Sequence, residues 1–400
     1  MAETARHVID TRAEYLDAVA LIAAGTGPIA IDAERASGFR YSQRAYLIQV
    51  FRRDAGVFLF DPPAIGRFDE LQDAIADVEW ILHAASQDIA CLREVGLDPH
   101  IIFDTELCAR LLGFARVGLG TVIEQQLGIH LAKEHSAADW STRPLPESWL
   151  EYAALDVELL VDLRDSLQEL LVSSGKEEIA RQEFAAVLQK EAKPLAAEPW
   201  RRLSGIHSVR SARNLAVARE LWLARDAYAQ EIDTAPGRLV PDSSLLAVVK
   251  AMPSTRKALS DLREFTGRAS RSELSRWWEA VERGLASAEL PAVRVNGDTL
   301  PPPRVWSERN PEADLRLKAA RAALNEVSDE QQIPLENLLT PDCLRRVAWH
   351  PPATMDAETI GEALTELGAR PWQVDATAQK ISDAFVEAHQ TLLESSEAPS

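Results

Sequence analysis

Cysteine, long apolar runs and basic residues are all scarce in this 400-residue sequence. Its three cysteines, Cys91, Cys108 and Cys343, are widely spaced and odd in number, which excludes a disulfide framework and a CxxC zinc site. No stretch approaches the ~18 consecutive apolar residues that a membrane span needs, and the first residues carry no apolar signal-peptide core. The sequence therefore predicts a cytoplasmic protein with no membrane partner.

Basic residues are outnumbered, 43 against 62 acidic ones, which gives a formal net charge of −19. The imbalance is uneven along the chain, because residues 1–200 carry −15 and residues 291–400 carry −8. Residues 201–290, between them, hold 15 basic and 11 acidic residues. This positive segment could attract a polyanion, and carboxylates can hold metal ions, so acidity does not exclude a nucleic-acid substrate.

The first part of the chain alternates apolar, β-rich runs with helical patterns. Five runs predict strands: 28–34, 45–51, 56–61, 78–84 and 101–105. Short gaps between the first three suit antiparallel pairing, and helices separate the later ones, so we expect a mixed sheet with helices packed against it. Apolar residues recur at helical spacing from Pro146 to Leu171 and predict one long helix.

The remainder has an all-helical pattern and contains an internal repeat. The tetrapeptide LVPD at 239–242 recurs as LTPD at 339–342, with helical patterns on both sides, which favours duplication of one small helical domain. Composition and proline clusters predict these segments: an α/β domain (1–173), a connecting helix and linker (174–205), a first helical module (206–290), a Pro-rich linker (291–305), a second helical module (306–393) and a tail (394–400).

Acidic residues stand where a buried strand would normally be apolar. Asp32 and Glu34 lie two apart on a predicted strand, so both side chains leave the same face. Acids inside a sheet are costly unless a cation lies between them. The alternative is that the strand ends at Asp32 and both acids are solvated.

Two further places carry acids. Asp88 lies in the first turn of a helix that is expected to begin near Ser86, where an acid alternatively complements the helix dipole. Tyr152 and Asp156 are spaced i, i+4 and therefore share one helix face. The alternative for this pair is an ordinary amphipathic helix with a tyrosine at its boundary.

Together, Asp-x-Glu on a strand, a later Asp and Tyr-x-x-x-Asp on a helix resemble the DEDDy class of 3′–5′ exonucleases. The surrounding sequence resembles the ribonuclease D family over roughly residues 25–172, in IAIDAERASGFRYSQRAYLIQVF, ILHAASQDIACL and DWSTRPLPESWLEYAALDVELL. Weaker similarity to HRDC domains extends through both helical modules. The resemblance implies a ribonuclease H-like mixed-sheet exonuclease domain, which is α/β, followed by two small all-α, HRDC-like domains.

The resemblance also implies a metal site. Asp32, Glu34 and Asp156 would hold one divalent ion, Asp32 would bridge to a second, and Asp88 would support that second ion. Tyr152 would position the attacking water through its hydroxyl. Four carboxylates without histidine or cysteine suit two Mg²⁺ or Mn²⁺ ions better than zinc.

Two departures from the family pattern concern the neighbours of the acids. The first motif has Arg35 where an aromatic residue is usual, and the second has Ala85 and Gln87 where Gly and Glu are usual. Arg35 would then offer the substrate a cationic contact in place of a stacking ring. The candidate substrate contacts, each of which could instead be a surface or core residue, are Arg35, Phe39, Tyr41, Gln49, His83 and Lys133.

The resemblance implies a 3′–5′ exoribonuclease that trims the single-stranded 3′ ends of structured RNA, such as tRNA precursors, and releases nucleoside 5′-monophosphates. Two alternatives stay open: an exonuclease acting on DNA, and a non-catalytic RNA-binding scaffold. We expect a monomer. The first helical module mixes aromatic and basic residues, as nucleic-acid binders and tightly packed cores both do: Trp222, Arg225, Tyr228, Arg276, Trp277 and Trp278.

Overall fold

A computed structural model of the protein describes residues 6–131, 138–190, 197–294 and 300–397. Within these ranges a six-stranded sheet and its helices are followed by helices alone, so the expected fold class is confirmed. Among the described residues, no helix combines the length and the apolar character that crossing a bilayer would take.

The sheet is mixed. Its strands are β1 (Val8–Ile9), β2 (Thr26–Arg35), β3 (Ala45–Arg53), β4 (Gly56–Phe60), β5 (Trp80–Leu82) and β6 (Ile102–Asp104). They lie in the order β1-β4-β3-β2-β5-β6. Strands β2, β3 and β4 pair antiparallel, whereas β2, β5 and β6 run parallel. The structure adds the short strand β1, which the apolar pattern did not reveal, parallel to β4.

Nine helices of the described chain surround or follow the sheet. They are α1 (Arg12–Ala24), α2 (Pro62–Ile65), α3 (Asp69–Ala74), α4 (Ile89–Glu94), α5 (Thr105–Leu111), α6 (Leu119–Leu127), α7 (Glu147–Glu158), α8 (Leu160–Ser173) and α9 (Glu177–Gln189). Helix α1 was not predicted. Thr11 caps its first turn through a hydroxyl that accepts from the Glu14 N–H, and Tyr15 and Ile22 are fully buried.

The single helix predicted from Pro146 to Leu171 is wrong, because the chain forms α7 and α8 with a break at Leu159. The Leu159 N–H bonds to the carbonyl of Val157 instead of continuing the helical ladder. The two halves pack in different places: α7 contacts β2, β3 and β4, whereas α8 contacts β2, β5, α5 and α6. A straight helix could not follow both surfaces.

The helical modules repeat one helix order: a long helix, a single turn, a helix that begins at the Pro-Asp pair, a short helix and a closing helix. The first contains α10 (Ala212–Glu231), α11 (Pro236–Leu239), α12 (Asp242–Ala251), α13 (Arg256–Asp261) and α14 (Leu274–Ala286). After α15 (Trp306–Arg309), the second contains α16 (Pro311–Gln331), α17 (Leu335–Leu338), α18 (Pro341–Trp349), α19 (Ala357–Glu366) and α20 (Pro371–Glu397). In each module the closing helix packs on the long one.

Helix α20 runs to Glu397 and therefore passes the expected end of the second module at 393. The predicted tail at 394–400 is wrong up to that residue, because this part is helical. The helix continues past 393 through Glu394, Ser395, Ser396 and Glu397, of which the glutamates are good helix formers. Residues 398–400 lie outside the described chain.

The hydrophobic cores are distributed unequally. Buried residues of the sheet domain and of the second helical module, such as Phe103, Trp306 and Phe385, form one continuous cluster. The first helical module has a separate cluster of its own, in which Leu221 and Trp277 are fully buried. The second module is therefore packed as part of the sheet domain.

Candidate active site

The first two acids lie on β2, the strand at which the antiparallel and the parallel parts of the sheet meet. Asp32 is paired with Gln49 and Glu34 with Leu47 of β3, so both acids leave the same face of β2. The strand continues to Arg35, which excludes the alternative in which it ends at Asp32. Both carboxylates are half-buried at the edge of a pocket of about 650 Å³.

Asp88 reaches the same pocket from the neighbouring parallel strand. After β5 ends, Ala84 adopts a left-handed conformation and Ala85–Gln87 form a 3₁₀ turn. Helix α4 begins one residue after Asp88, later than the sequence suggested. Asp88 is the N-cap residue of that helix, but its buried carboxylate makes no capping bond there, so both its role as a ligand and its role as a helix-start residue stay predictions.

Helix α7 supplies the last two residues. Tyr152 and Asp156 both line the pocket, and the tyrosine hydroxyl is hydrogen-bonded to the Asp156 carboxylate. One carboxylate oxygen each from Asp32, Glu34 and Asp156 lie within 4.8 Å of one another. The structure thus brings the five predicted site residues into one pocket, with three of the acids close enough to share a cation.

Burial and crowding raise the pKa of every acid in this group. Desolvation is the largest cause for Asp32, Glu34, Asp88 and Asp156, and repulsion between their charges adds to it for all but Asp32. Arg35 partly offsets this effect, since its guanidinium lies 3.6 Å from Asp88 Oδ1. A cluster of hard oxygen donors whose charges repel one another fits divalent Mg²⁺ or Mn²⁺.

The hydroxyl of Tyr152 also has a raised pKa. Burial raises its pKa above the ordinary value near 10, and the neighbouring Asp156 and Glu34 carboxylates raise it further. The phenol therefore stays protonated at neutral pH. It can donate a hydrogen bond, but it is too weak an acid to serve as an ionised base.

Two candidate substrate contacts lie in the pocket. Arg35 and His83 both line it, next to the acids. His83 Nδ1 lies 2.9 Å from the hydroxyl of Thr105, and burial lowers the pKa of the imidazole to about 4, which keeps it neutral. Lys133 lies outside the described residues.

The other three candidates do not line the pocket. Phe39 lies beneath the guanidinium of Arg238, and the Tyr41 hydroxyl donates to Asp226, so both side chains contact the first helical module. Gln49 is fully buried on β3 beside Asp32, and its amide has no hydrogen-bond partner among the described residues. Contact of these three residues with substrate stays a prediction.

The aromatic and basic mixture in the first helical module is mostly internal. Trp277 is fully buried and donates to the Ala269 carbonyl. Arg225 is buried and lies 2.8 Å from Asp242. Trp222, Tyr228 and Trp278 are partly buried against the same core. The core interpretation therefore describes most of this group.

Asp104, at the end of β6, is a buried acid that the sequence reasoning did not single out. It accepts hydrogen bonds from the turn that precedes Asp88. The available signal was an acid at the end of a short apolar run parallel to the strands that carry the other acids.

Three protein-family models match successive segments of the chain. A family model described as 3′–5′ exonuclease matches residues 7–172, and the HRDC domain model matches residues 214–281. A third model, described as 3′ to 5′ exonuclease C-terminal domain, matches residues 299–385. The second helical module thus matches a model of its own, although it repeats the helix order of the first.

Individual relatives agree with this assignment. Ribonuclease D of Jannaschia sp. is 30% identical over 304 residues, which cover 73% of this chain and 78% of that protein. A crystal structure of a protein from Bifidobacterium adolescentis is 36% identical with a TM-score of 0.87, covering 96% of this chain and 98% of that one. Escherichia coli RNase D, described as an exoribonuclease involved in structured RNA processing, is 25% identical with a TM-score of 0.66, covering 91% and 98%. This chain belongs to the ribonuclease D family and carries a 3′–5′ exonuclease domain.

Proposed function

We propose that this chain is a metal-dependent 3′–5′ exoribonuclease that shortens the single-stranded 3′ ends of structured RNA, tRNA precursors among them. The observation that carries the proposal is the convergence of Asp32, Glu34 and Asp156 within 4.8 Å, in a pocket that Asp88 and Tyr152 also line. RNA is favoured as the substrate because the Escherichia coli relative acts in structured RNA processing.

Two divalent ions, Mg²⁺ or Mn²⁺, complete the proposed site. Asp32, Glu34 and Asp156 would hold one ion, and Asp32 with Asp88 would hold the other. Bound ions of this kind supply an activated water and stabilise the departing 3′ oxygen of a phosphodiester. The products of such hydrolysis are nucleoside 5′-monophosphates.

The side chains of the pocket provide positioning. Tyr152 keeps its proton at neutral pH, so its hydroxyl orients the attacking water by hydrogen bonding. Arg35 lies 3.6 Å from Asp88 Oδ1, and it offers a contact to a phosphate of the RNA. Partial burial of the acids lowers the local dielectric constant, which strengthens each of these interactions.

A cytoplasmic location and a monomeric state belong to the same proposal. The three cysteines are free thiols, and all are buried in the described chain. Free thiols persist in a reducing compartment, which supports the cytoplasm.

The direct test is degradation of a 3′-tailed hairpin RNA and of DNA with the same sequence, each labelled at the 5′ end. With Mg²⁺ or Mn²⁺ we expect stepwise shortening of the RNA tail that stops near the hairpin, slower cleavage of DNA, and no cleavage in EDTA. Blocking the 3′ end serves as the control for direction. Faster cleavage of DNA would support the DNA alternative, and the absence of any cleavage would support the scaffold alternative.

Two conservative substitutions test the roles of Asp32 and Tyr152. Asp32→Asn is nearly isosteric and removes the bridging charge, so we expect a rate loss of about 10³-fold or more. Tyr152→Phe removes only the hydroxyl, so turnover should fall while RNA affinity and metal binding stay unchanged. Near-parental degradation by the first variant would contradict the role of Asp32. An equal loss of affinity and turnover in the second would instead make Tyr152 a substrate contact.

Without metal, the crowded acids should make stability depend on pH. Because their folded-state pKa values are raised, to about 8 for Asp156 and about 9 for Glu34, the folded state holds protons that the unfolded state releases. Stability is therefore expected to fall as pH rises from 6 to 9 in EDTA, by at most about 1.4 kcal/mol per pH unit for each group. Thermal melting checks this. Asp32→Asn should melt higher than the parent at pH 8 in EDTA, and an unchanged melting temperature would contradict the crowding.

A further inference from the structure

We propose that Asp104 is a positioning residue, whose carboxylate fixes the turn that carries Asp88 into the active-site pocket. Asp104 is only 3% exposed and ends β6, the strand beside β5. Asp88 follows β5 by six residues, so its placement depends on the path of the intervening chain. This inference rests on the proposed function.

The Asp104 carboxylate accepts four backbone N–H groups. Its Oδ1 atom accepts from Ala84 at 3.1 Å, from Glu106 at 3.0 Å and from Leu107 at 3.1 Å. Its Oδ2 atom accepts from Ala85 at 2.9 Å. Glu106 and Leu107 are in the first turn of α5, so one side chain ties the start of that helix to the turn before Asp88.

That turn contains a conformation that needs support. Ala84 has φ 63° and ψ 50°, a left-handed backbone that is strained for a residue with a Cβ atom. The bonds from Ala84 and Ala85 to Asp104 stabilise it. The turn then continues through Gln87 N–H to the Ala84 carbonyl at 2.9 Å and Asp88 N–H to the Ala85 carbonyl at 3.1 Å. The position of Asp88 follows from these linked bonds.

The next residue, Thr105, reinforces the same connection. Its hydroxyl donates to the Leu82 carbonyl at 3.2 Å and lies 2.9 Å from His83 Nδ1. Asp104 and Thr105 together therefore hold the four consecutive residues 82–85. Asp88 makes no capping bond of its own in α4, which leaves the turn to determine where its carboxylate lies.

A carboxylate is required here because the four N–H groups converge on both of its oxygens. Asparagine keeps the size but replaces one oxygen with a donor, which would face the N–H of Ala85 or the other three N–H groups. Asp104→Asn thus disturbs the turn, and with it the placement of Asp88, without substituting any of the five pocket residues. Asp98→Asn is a matched control, because Asp98 is exposed and its carboxylate pairs with Arg93 on the surface.

The experiment measures Mn²⁺ binding by calorimetry alongside kcat and KM on the tailed hairpin RNA. For Asp104→Asn we expect at least a tenfold loss of affinity for the weaker of two Mn²⁺ ions. We also expect at least a tenfold loss of kcat and a KM within twofold of the parent. Asp98→Asn should match the parent in all three. Parental Mn²⁺ binding in Asp104→Asn would overturn the proposal, whether or not kcat falls, because a role through Asp88 must change the metal site.

The variant Asp104→Asn/Ala84→Gly keeps the test decisive if the single variant fails to fold. Glycine adopts the left-handed conformation without strain, so the double variant relieves the part of the loss that is purely conformational. Weakened binding of one Mn²⁺ in the folded double variant supports the proposal. Failure of both variants to fold would overturn it in favour of a purely structural role. Absence of Mn²⁺ binding by the parent would instead refute the proposed function.

Discussion

The two helical modules repeat one helix order, yet they attach to the sheet domain in different ways. The first has its own hydrophobic core and contacts the sheet domain through the loop at 36–44, largely with polar groups. The second shares one continuous core with the sheet domain. Similar modules in one chain can thus differ in role, because the surfaces outside the repeat determine how each is held.

Three of the polar contacts at the first interface are made by one acid, Asp233. Asp233 accepts from the Ser42 N–H at 2.8 Å and from the Tyr46 hydroxyl at 3.1 Å, and it lies 3.6 Å from Arg44. Such contacts are partly exposed and weaken with salt. The loop also includes Ser37, which lines the active-site pocket. The first module therefore holds one wall of the pocket through bonds that are individually weak.

The second interface combines apolar burial with buried charge. Glu183 of α9 is 6% exposed and accepts from Arg370 Nη2 at 2.7 Å and from the Trp372 indole N–H at 2.8 Å. Close approach adds to this: a Cβ atom on Gly113 would lie 2.6 Å from the Gln332 carbonyl oxygen. Contacts of this kind depend little on salt and cannot be opened without exposing core surface.

The largest loss of folding stability is expected from removing the second module. A chain that ends at Leu290 loses the part of the shared core that the second module supplies, so we expect it to be insoluble or to lack a cooperative thermal transition. Residues 197–294 produced alone should instead fold cooperatively, because their core is self-contained. Circular dichroism melting compares the two. A stable, active chain ending at Leu290 would contradict the difference between the interfaces.

A smaller loss of folding stability should follow from Glu183→Ala. This change leaves the Arg370 guanidinium without its buried partner, and breaking such a pair costs about 3 kcal/mol. Glu178→Ala is the control on the same helix, since its pair with Arg181 is exposed and should contribute under about 1 kcal/mol. Thermal and urea unfolding measure both. Equal losses would mean that the second interface is no more buried than an ordinary surface.

The smallest loss of stability, confined to the loop at 36–44, is expected from Asp233→Ala. Loss of its bonds should loosen the loop by about 1–2 kcal/mol without lowering the melting temperature of the sheet domain. Hydrogen exchange at residues 36–46 should accelerate by about tenfold, because 1.4 kcal/mol corresponds to that factor. Asp261→Ala, an exposed acid of the same module paired with Lys257, should leave this exchange unchanged. An unchanged rate in Asp233→Ala would show that the loop is held by other contacts.

Local spacing determined how much of the site could be predicted. Asp32 with Glu34 and Tyr152 with Asp156 are fixed by the geometry of one strand and one helix, which their patterns indicate. The break at Leu159 could not be foreseen, because no proline or glycine marks it and both halves look helical. Tyr41 contacts Asp226, 185 residues away, and no local pattern indicates such a contact. Asp104 was missed for the same reason.

The core that α9 and the second module share determines which mutations would abolish nuclease activity in a cell. Cells degrade proteins whose folded fraction drops, and a loss of about 1–2 kcal/mol can change abundance several-fold. Substitutions at Trp306 or Phe385, both fully buried and far along the chain from every acid of the pocket, would therefore behave genetically as loss of the nuclease. A screen for inactive alleles should recover them beside alleles of Asp32, distinguished only by how much protein remains.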